Sequence, residues 1–128
     1  HELVQPPDLC ASLSDAFQLT ADDDLRWGQS LLPLASPEPP PWRDRAATIA
    51  PAALALRTPA WLLIRRHDGR RELFAKPDDR WEANEVASRC PDAVEQLDAA
   101  LDEFRRATQS AHPVQISPLS TLLLEGTG

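Results

Sequence analysis

An Asp-Gly pair between two short apolar runs constrains this chain more than any other feature. Trp61-Leu62-Leu63-Ile64-Arg65-Arg66 opens with four consecutive apolar residues, the first aromatic, the pattern of a strand covered on both faces near Leu62. His67-Asp68-Gly69-Arg70 follows, and Asp-Gly is the dipeptide that closes tight hairpins. Arg71-Glu72-Leu73-Phe74-Ala75 then supplies the returning strand. A hairpin over about residues 61–75 needs an apolar cover, because a two-stranded ribbon alone is marginal in water.

The cover is predicted further along. Val94, Leu97, Leu101 and Phe104 recur at helical spacing, giving a C-terminal helix over about residues 92–107. Asp92 is expected to cap it, with Glu95 completing a capping box. Asp102 and Arg106 make an i,i+4 pair on its exposed side. Leu9, Leu13, Ala16 and Phe17 form a second helical stripe, predicting an N-terminal helix over about residues 8–19 with Asp8 and Asp15 at polar positions. Ser36-Pro37-Glu38-Pro39-Pro40-Pro41 can form neither helix nor ladder and reads as an extended connection. Ala53–Leu56 has β character before a break at Arg57-Thr58-Pro59, and a short strand is expected at Val114–Ile116. The fold class is therefore α+β: a small antiparallel sheet packed by a C-terminal helix, with an N-terminal helix and a Pro-rich connection.

A length of 128 residues fits one domain or a piece of a larger one. No apolar run approaches the roughly 20 residues of a membrane-spanning helix. Thirteen Lys and Arg against 20 Asp and Glu leave a net charge of −7, which repels phosphate backbones and argues against nucleic acid. The absence of Met, with His1 in first place, points to a fragment, a processed product or a trimmed chain. Cys10 and Cys90 lack zinc-type spacing and read as two buried, inert thiols; a disulfide between them would need an oxidising compartment.

No motif completes an active site. There is no GxSxG, P-loop or HExxH pattern, and His1, His67 and His112 have no ligand partners at helical spacing. Asp22-Asp23-Asp24 lacks the alternation of a calcium loop and reads as solvated. His67, at the hairpin tip, is a possible substrate contact or a solvated turn residue. Arg65, Arg66, Arg70 and Arg71 flank the same tip, either to meet an anionic group or to protect strand ends. Trp27, Trp42, Trp61 and Trp81 are read chiefly as packing residues, with an interaction surface as the alternative.

Four segments, in order, resemble the C-terminal part of the sulfatase family within the alkaline-phosphatase-like superfamily. Val4–Phe17 resembles its helix Val-x-x-x-Asp-Leu-x-Pro-Thr-Leu through Asp8, Leu9 and Leu13, with Ala11-Ser12 in place of Pro-Thr. Gly28-Gln29-Ser30-Leu31-Leu32-Pro33-Leu34 is similar to Asp-Gly-x-Ser-Leu-x-Pro-Leu, with Trp27 replacing the Asp. Ala55-Leu56-Arg57-Thr58 and Trp61-Leu62-Leu63-Ile64 are similar to a strand pair bearing Arg-Thr and then Trp-Lys-Leu-Ile, without the Lys. Glu72-Leu73-Phe74 with Asp79-Arg80-Trp81-Glu82-Ala83-Asn84-Glu85-Val86-Ala87 resembles Glu-Leu-Tyr-Asp-Leu and Asp-Pro-x-Glu-x-x-Asn-Leu-Ala, Arg80 replacing the Pro.

The resemblance implies that residues 1–51 end a larger α/β domain and its connection, and that residues 52–128 form a C-terminal subdomain. Glu82 and Asn84 are expected to brace their turn. For the complete enzyme it implies sulfuric ester hydrolysis by a formylglycine, made from a Cys or Ser in Cys/Ser-x-Pro/Ala-x-Arg, with a divalent cation, calcium. Its substrate would be a sulfate ester, and its partner here a missing N-terminal catalytic domain. Cys10 precedes Ala11-Ser12-Leu13-Ser14 and Cys90 precedes Pro91-Asp92-Ala93-Val94, so neither has the required Arg. No residue of this chain is assigned a catalytic, metal-ligating or substrate-binding role, and the chain alone is expected to be inactive. The alternatives are a stand-alone interaction module derived from a sulfatase, or part of a phosphate- or phosphonate-ester hydrolase.

Overall fold

The hairpin forms as expected and is the middle of a larger sheet. A computed structural model describes residues 2–19, 28–110 and 115–126. The chain divides into two compact units, His1–Arg43 and Asp44–Gly128. In the second, β1 (Ala46–Ile49), β2 (Ala53–Arg57), β3 (Trp61–Arg66) and β4 (Arg71–Ala75) pair antiparallel in the order β1-β2-β3-β4. Gly69 takes φ +85° at the β3–β4 turn, where an L side chain would be strained. Arg66 N–H donates to Arg70 O at 2.8 Å across that turn, and Arg70 N–H donates to Asp68 Oδ1 at 2.9 Å.

Register explains the core. Ala47 pairs with Leu56, Leu56 with Leu63, and Leu63 with Leu73, so one row of apolar side chains crosses all four strands on one face. Leu56, Leu63 and Leu73 have no exposed surface. The helix α2 (Pro91–Gln109) covers this face with Ala93, Leu97, Ala100 and Leu101, all buried, and half-buried Val94 packs against the same cluster. A second cover, α3 (Thr121–Glu125), contributes Leu123, and its Leu122 O accepts the indole N–H of buried Trp61 at 2.9 Å. β1 and α3 are additions to the sequence reading. Residues 115 and 116 form no strand, and Val114 lies outside the described residues.

Helix boundaries shift for identifiable reasons. α2 starts at Pro91, whose fixed φ suits the first helical position, so Asp92 lies within the first turn. Cys90 holds the N-cap position without a side-chain cap, which corrects the expected Asp92–Glu95 box. The Asp102 carboxylate turns to Arg65 and Arg105, while Arg106 reaches the Asp102 backbone oxygen, so the expected Asp102–Arg106 carboxylate pair is not made.

In the first unit, α1 (Pro6–Ala16) begins and ends earlier than the predicted 8–19. Asp8 is fully buried there, whereas Leu9, Leu13 and Phe17 are 57%, 58% and 71% exposed, the reverse of the expected orientation. The cause is local satisfaction of the carboxylate. Asp8 Oδ2 accepts Gln5 N–H at 2.7 Å, and Oδ1 accepts Gln29 N–H at 2.9 Å together with the Arg43 guanidinium. Ser12 Oγ accepts Leu31 N–H at 2.8 Å, and Ser30 Oγ donates to Asp15 at 2.7 Å. A side chain on Gly28 would meet Pro7 O at 2.4 Å, so only glycine fits that approach. Cys10 is exposed and Cys90 half-buried, both free, which corrects the expectation of two buried thiols.

Leu97→Ala is expected to cost about 2–5 kcal/mol through the cavity it leaves. Leu97→Asp, which strands an unpaired charge in the same seam, abolishes the cooperative thermal transition. An unchanged melting curve for Leu97→Asp would refute the packing of α2 on the sheet.

Candidate functional site

Strand alternation that buries Leu63 and Leu73 also sends Arg65 and Arg71 to the helix-facing side, two residues further toward the hairpin tip. There they meet carboxylates from α2. Arg65 Nη1 donates to Asp98 and Nη2 to Asp102, each at 2.7 Å, and Arg71 reaches the other oxygen of Asp98 at 2.6 Å. Arg66, on the opposite face, pairs with Glu72 at 2.7 Å, and Arg70 joins the same carboxylate at 3.0 Å. Arg105 reaches Asp102 at 3.3 Å. The four arginines singled out at the tip thus enter two ion-pair sets on opposite faces of the sheet: Arg65 and Arg71 with Asp98 and Asp102, and Arg66 and Arg70 with Glu72.

The pairing leaves a directional imprint. The Arg65 hydrogen bond, outweighing the effect of burial, holds Asp102 below its ordinary carboxylate range. The reciprocal hydrogen bond to Asp102 raises Arg65. Between this network and the β1–β2 turn lies a groove of about 440 Å³, lined by Pro51 and Leu54 and by Arg65, Arg66, His67 and Arg105, with Asp102 as its acidic residue. His67 is exposed at the rim. Asp98 and Arg105 were not singled out by the sequence, which read Asp102 only as half of an exposed pair with Arg106. Their available signal was the four-residue spacing of two aspartates beside Leu97 and Leu101, which places them at the edge of the buried stripe.

The β4–α2 loop serves architecture. Asp79 Oδ1 and Oδ2 accept Ala83 and Asn84 N–H, each at 2.9 Å, and the bonds from Asn84 and then Ala83 lower its pKa. Glu85 accepts Leu73 N–H at 3.1 Å and Ala87 N–H at 2.6 Å, bonds that lower it likewise. Glu82 also braces the turn as expected, through Lys76 at 3.1 Å, whose ammonium donates to Asp79 O at 2.6 Å as well, while Asn84 enters through its backbone N–H. Trp61 packs in the core, while Trp42 is half-buried and donates its indole N–H to Leu3 O at 2.7 Å. Trp81 is 85% exposed, contrary to its expected packing role.

His1, His112, Trp27 and Asp22–Asp24 lie outside the described residues. Among the described residues, no group of three or more His, Cys, Asp or Glu is placed to hold a metal ion. Nor is any helix long and apolar enough to cross a membrane. The described residues therefore do not fit the divalent cation that the family resemblance implies. Neither cysteine sits in a formylglycine sequence.

Because Asp102 is depressed in the folded state, its contribution to stability is present above the unfolded carboxylate pKa of about 3.9 and is lost as pH falls through the lower folded value. Asp102→Asn is expected to lower the melting temperature near neutral pH and to flatten its decline from pH ~5 to ~3. An acid limb identical to that of the unsubstituted chain would show that the Arg65–Asp102 pair contributes nothing.

Comparison with known proteins places this architecture. No family model and no curated protein matches the sequence. Fourteen chains of solved structures match it. One is BT4656, solved in complex with its substrate D-glucosamine-2-N,6-O-disulfate, at 22% identity and a TM-score of 0.62. The match covers 77% of this chain and 23% of the BT4656 chain, so this chain spans under a quarter of its neighbour's length while sharing its fold there.

Proposed function

We propose that this chain is the C-terminal portion of a sulfatase-like hydrolase, contributing framework and one wall of a substrate cleft. The carrying observation is the shared fold with BT4656, whose substrate is a disulfated glucosamine, over most of this chain. A substrate bearing sulfate groups is what a sulfuric ester hydrolase acts upon. The four family-like segments support the reading because they act as connectors. Asp8 and Ser12 of the first accept the backbone N–H groups of Gln29 and Leu31 in the second. Thr58 of the third accepts Trp61 N–H at 3.0 Å, and Asp79 of the fourth closes its own loop.

On this reading, residues 1–51 end the larger domain and residues 52–128 belong to the C-terminal subdomain. Formylglycine, the divalent cation (calcium) and the nucleophilic step belong to an N-terminal catalytic domain, the partner of this chain. The exposed stripe Leu9, Leu13 and Phe17 supports a partner surface, since apolar residues grouped on one helix face mark contacts. Sulfuric ester hydrolysis is then the activity of the complete enzyme, and the 128 residues alone are inactive. A stand-alone interaction module is the second reading, favoured by Trp81 at 85% exposure.

Mass spectrometry of the native polypeptide, followed through a peptide spanning residues 91–105, tests the two readings. A product several times heavier than 14.2 kDa that releases sulfate from D-glucosamine-2-N,6-O-disulfate is the expected result. A native product near 14.2 kDa without sulfate release would overturn it in favour of the module.

A further inference from the structure

We propose that the groove between α2 and residues 117–120 binds a small carboxylate with a short apolar body through the buried guanidinium of Arg45. This site does not depend on the sulfatase-like reading. The groove has a volume of about 390 Å³, within the range of small-ligand sites. Arg45 lines it, yet its side chain is only 8% exposed. Nε donates to Asp44 Oδ1 at 2.8 Å and Nη2 to Asp44 Oδ2 at 2.9 Å, while Nη2 also reaches Ser117 O. One edge of the guanidinium is thus spent on Asp44. Nη1, on the other edge, is shut from water and has no hydrogen-bond partner among the described residues. Native folds leave few buried donors unmet, and a charged one is the most costly to leave so. An oxygen drawn into the groove beside Arg45 supplies the acceptor that the fold itself does not.

The remaining polar groups of the groove are chiefly donors. Gln96 Oε1 accepts the Ser120 hydroxyl at 2.7 Å, which leaves the Gln96 NH2 group for a ligand. Arg106 spends Nε on Asp102 O at 3.3 Å and keeps its two terminal nitrogens. Among the described residues, Glu103 is the one carboxylate lining the groove, and its Oε1 accepts both the N–H and the hydroxyl of Ser117, at 3.0 and 2.8 Å. Two guanidinium groups against one carboxylate reverse the sign of a chain whose net charge is −7, and so favour an anion. Glu103 disfavours a dianion such as phosphate, whereas a planar monoanionic carboxylate matches the guanidinium edge. Ala100, Leu119 and Leu123 line the same groove, so the body behind that carboxylate is apolar and short.

The test is a ligand-observed NMR titration of the full native polypeptide with isovalerate, isovaleramide, acetate and inorganic phosphate. Isovalerate is expected to bind saturably, roughly ten-fold tighter than isovaleramide, which lacks the charge, and than acetate, which lacks the apolar body. Ala99→Leu, at an exposed position of α2 that lines the groove, is expected to weaken isovalerate roughly ten-fold by filling the space. Arg45→Lys keeps a cation beside Asp44 but removes Nη1, and is expected to weaken it by a similar factor. Arg89→Gln, outside the groove, is expected to leave the affinity unchanged. Absence of saturable isovalerate binding would overturn the site, leaving water as the partner of Nη1. Equal affinity in Arg45→Lys, with an unaltered melting curve, would overturn it as well. If that variant melts early, Ala99→Leu makes the same test from the surface of α2. Equal binding of isovaleramide, or tighter binding of phosphate, would overturn the assignment to a carboxylate, and equal binding of acetate would overturn the apolar body.

Discussion

The seam between sheet and helix, where the aligned leucines of β2, β3 and β4 meet Leu97 and Leu101, is the contact on which the second unit depends. Each of these five side chains is fully removed from water, and at about 25 cal/mol per Å² their burial is the main force holding α2 to the strands. The ion pairs at the hairpin tip follow from it. Once the Leu63–Leu73 pair sets which face of the hairpin meets α2, Arg65 and Arg71 must emerge beside Asp98 and Asp102. A one-residue slip of register would move the leucines and these arginines to the other face together.

Carboxylates, from buried Asp8 to exposed Glu85, perform a second kind of work. Asp8, Asp79 and Glu85 each accept backbone N–H groups that no helix or ladder satisfies. A free donor inside the protein costs about 1–3 kcal/mol, so these connections hold irregular segments in single conformations. That is the physical content of the family-like motifs here. Their charged residues tie loops to elements.

Much of the second unit was legible in advance because its signals are local. The Asp68-Gly69 turn, the apolar run after Trp61 and the stripe through Leu97 each state their element within a few residues. The first unit was harder. The periodicity of Leu9, Leu13 and Phe17 gave the existence of a helix but suggested the wrong side for Asp8. Periodicity cannot count the donors that reach Asp8 from Gln29 and Arg43, far along the chain. β1, with small residues and no strong pattern, was invisible until β2 offered its edge.

The sequence by itself determined the α+β class, the central hairpin, the covering helix and the absence of a formylglycine motif, because turn chemistry, apolar period and residue identity are properties of short segments. Only the tertiary structure decided that four tip arginines share the carboxylates of Glu72, Asp98 and Asp102. It also decided that Arg105 joins them, that Trp81 faces water and that Asp8 is a buried connector. Those outcomes depend on strand register and on donors distant in sequence, which meet a side chain only after the chain has folded.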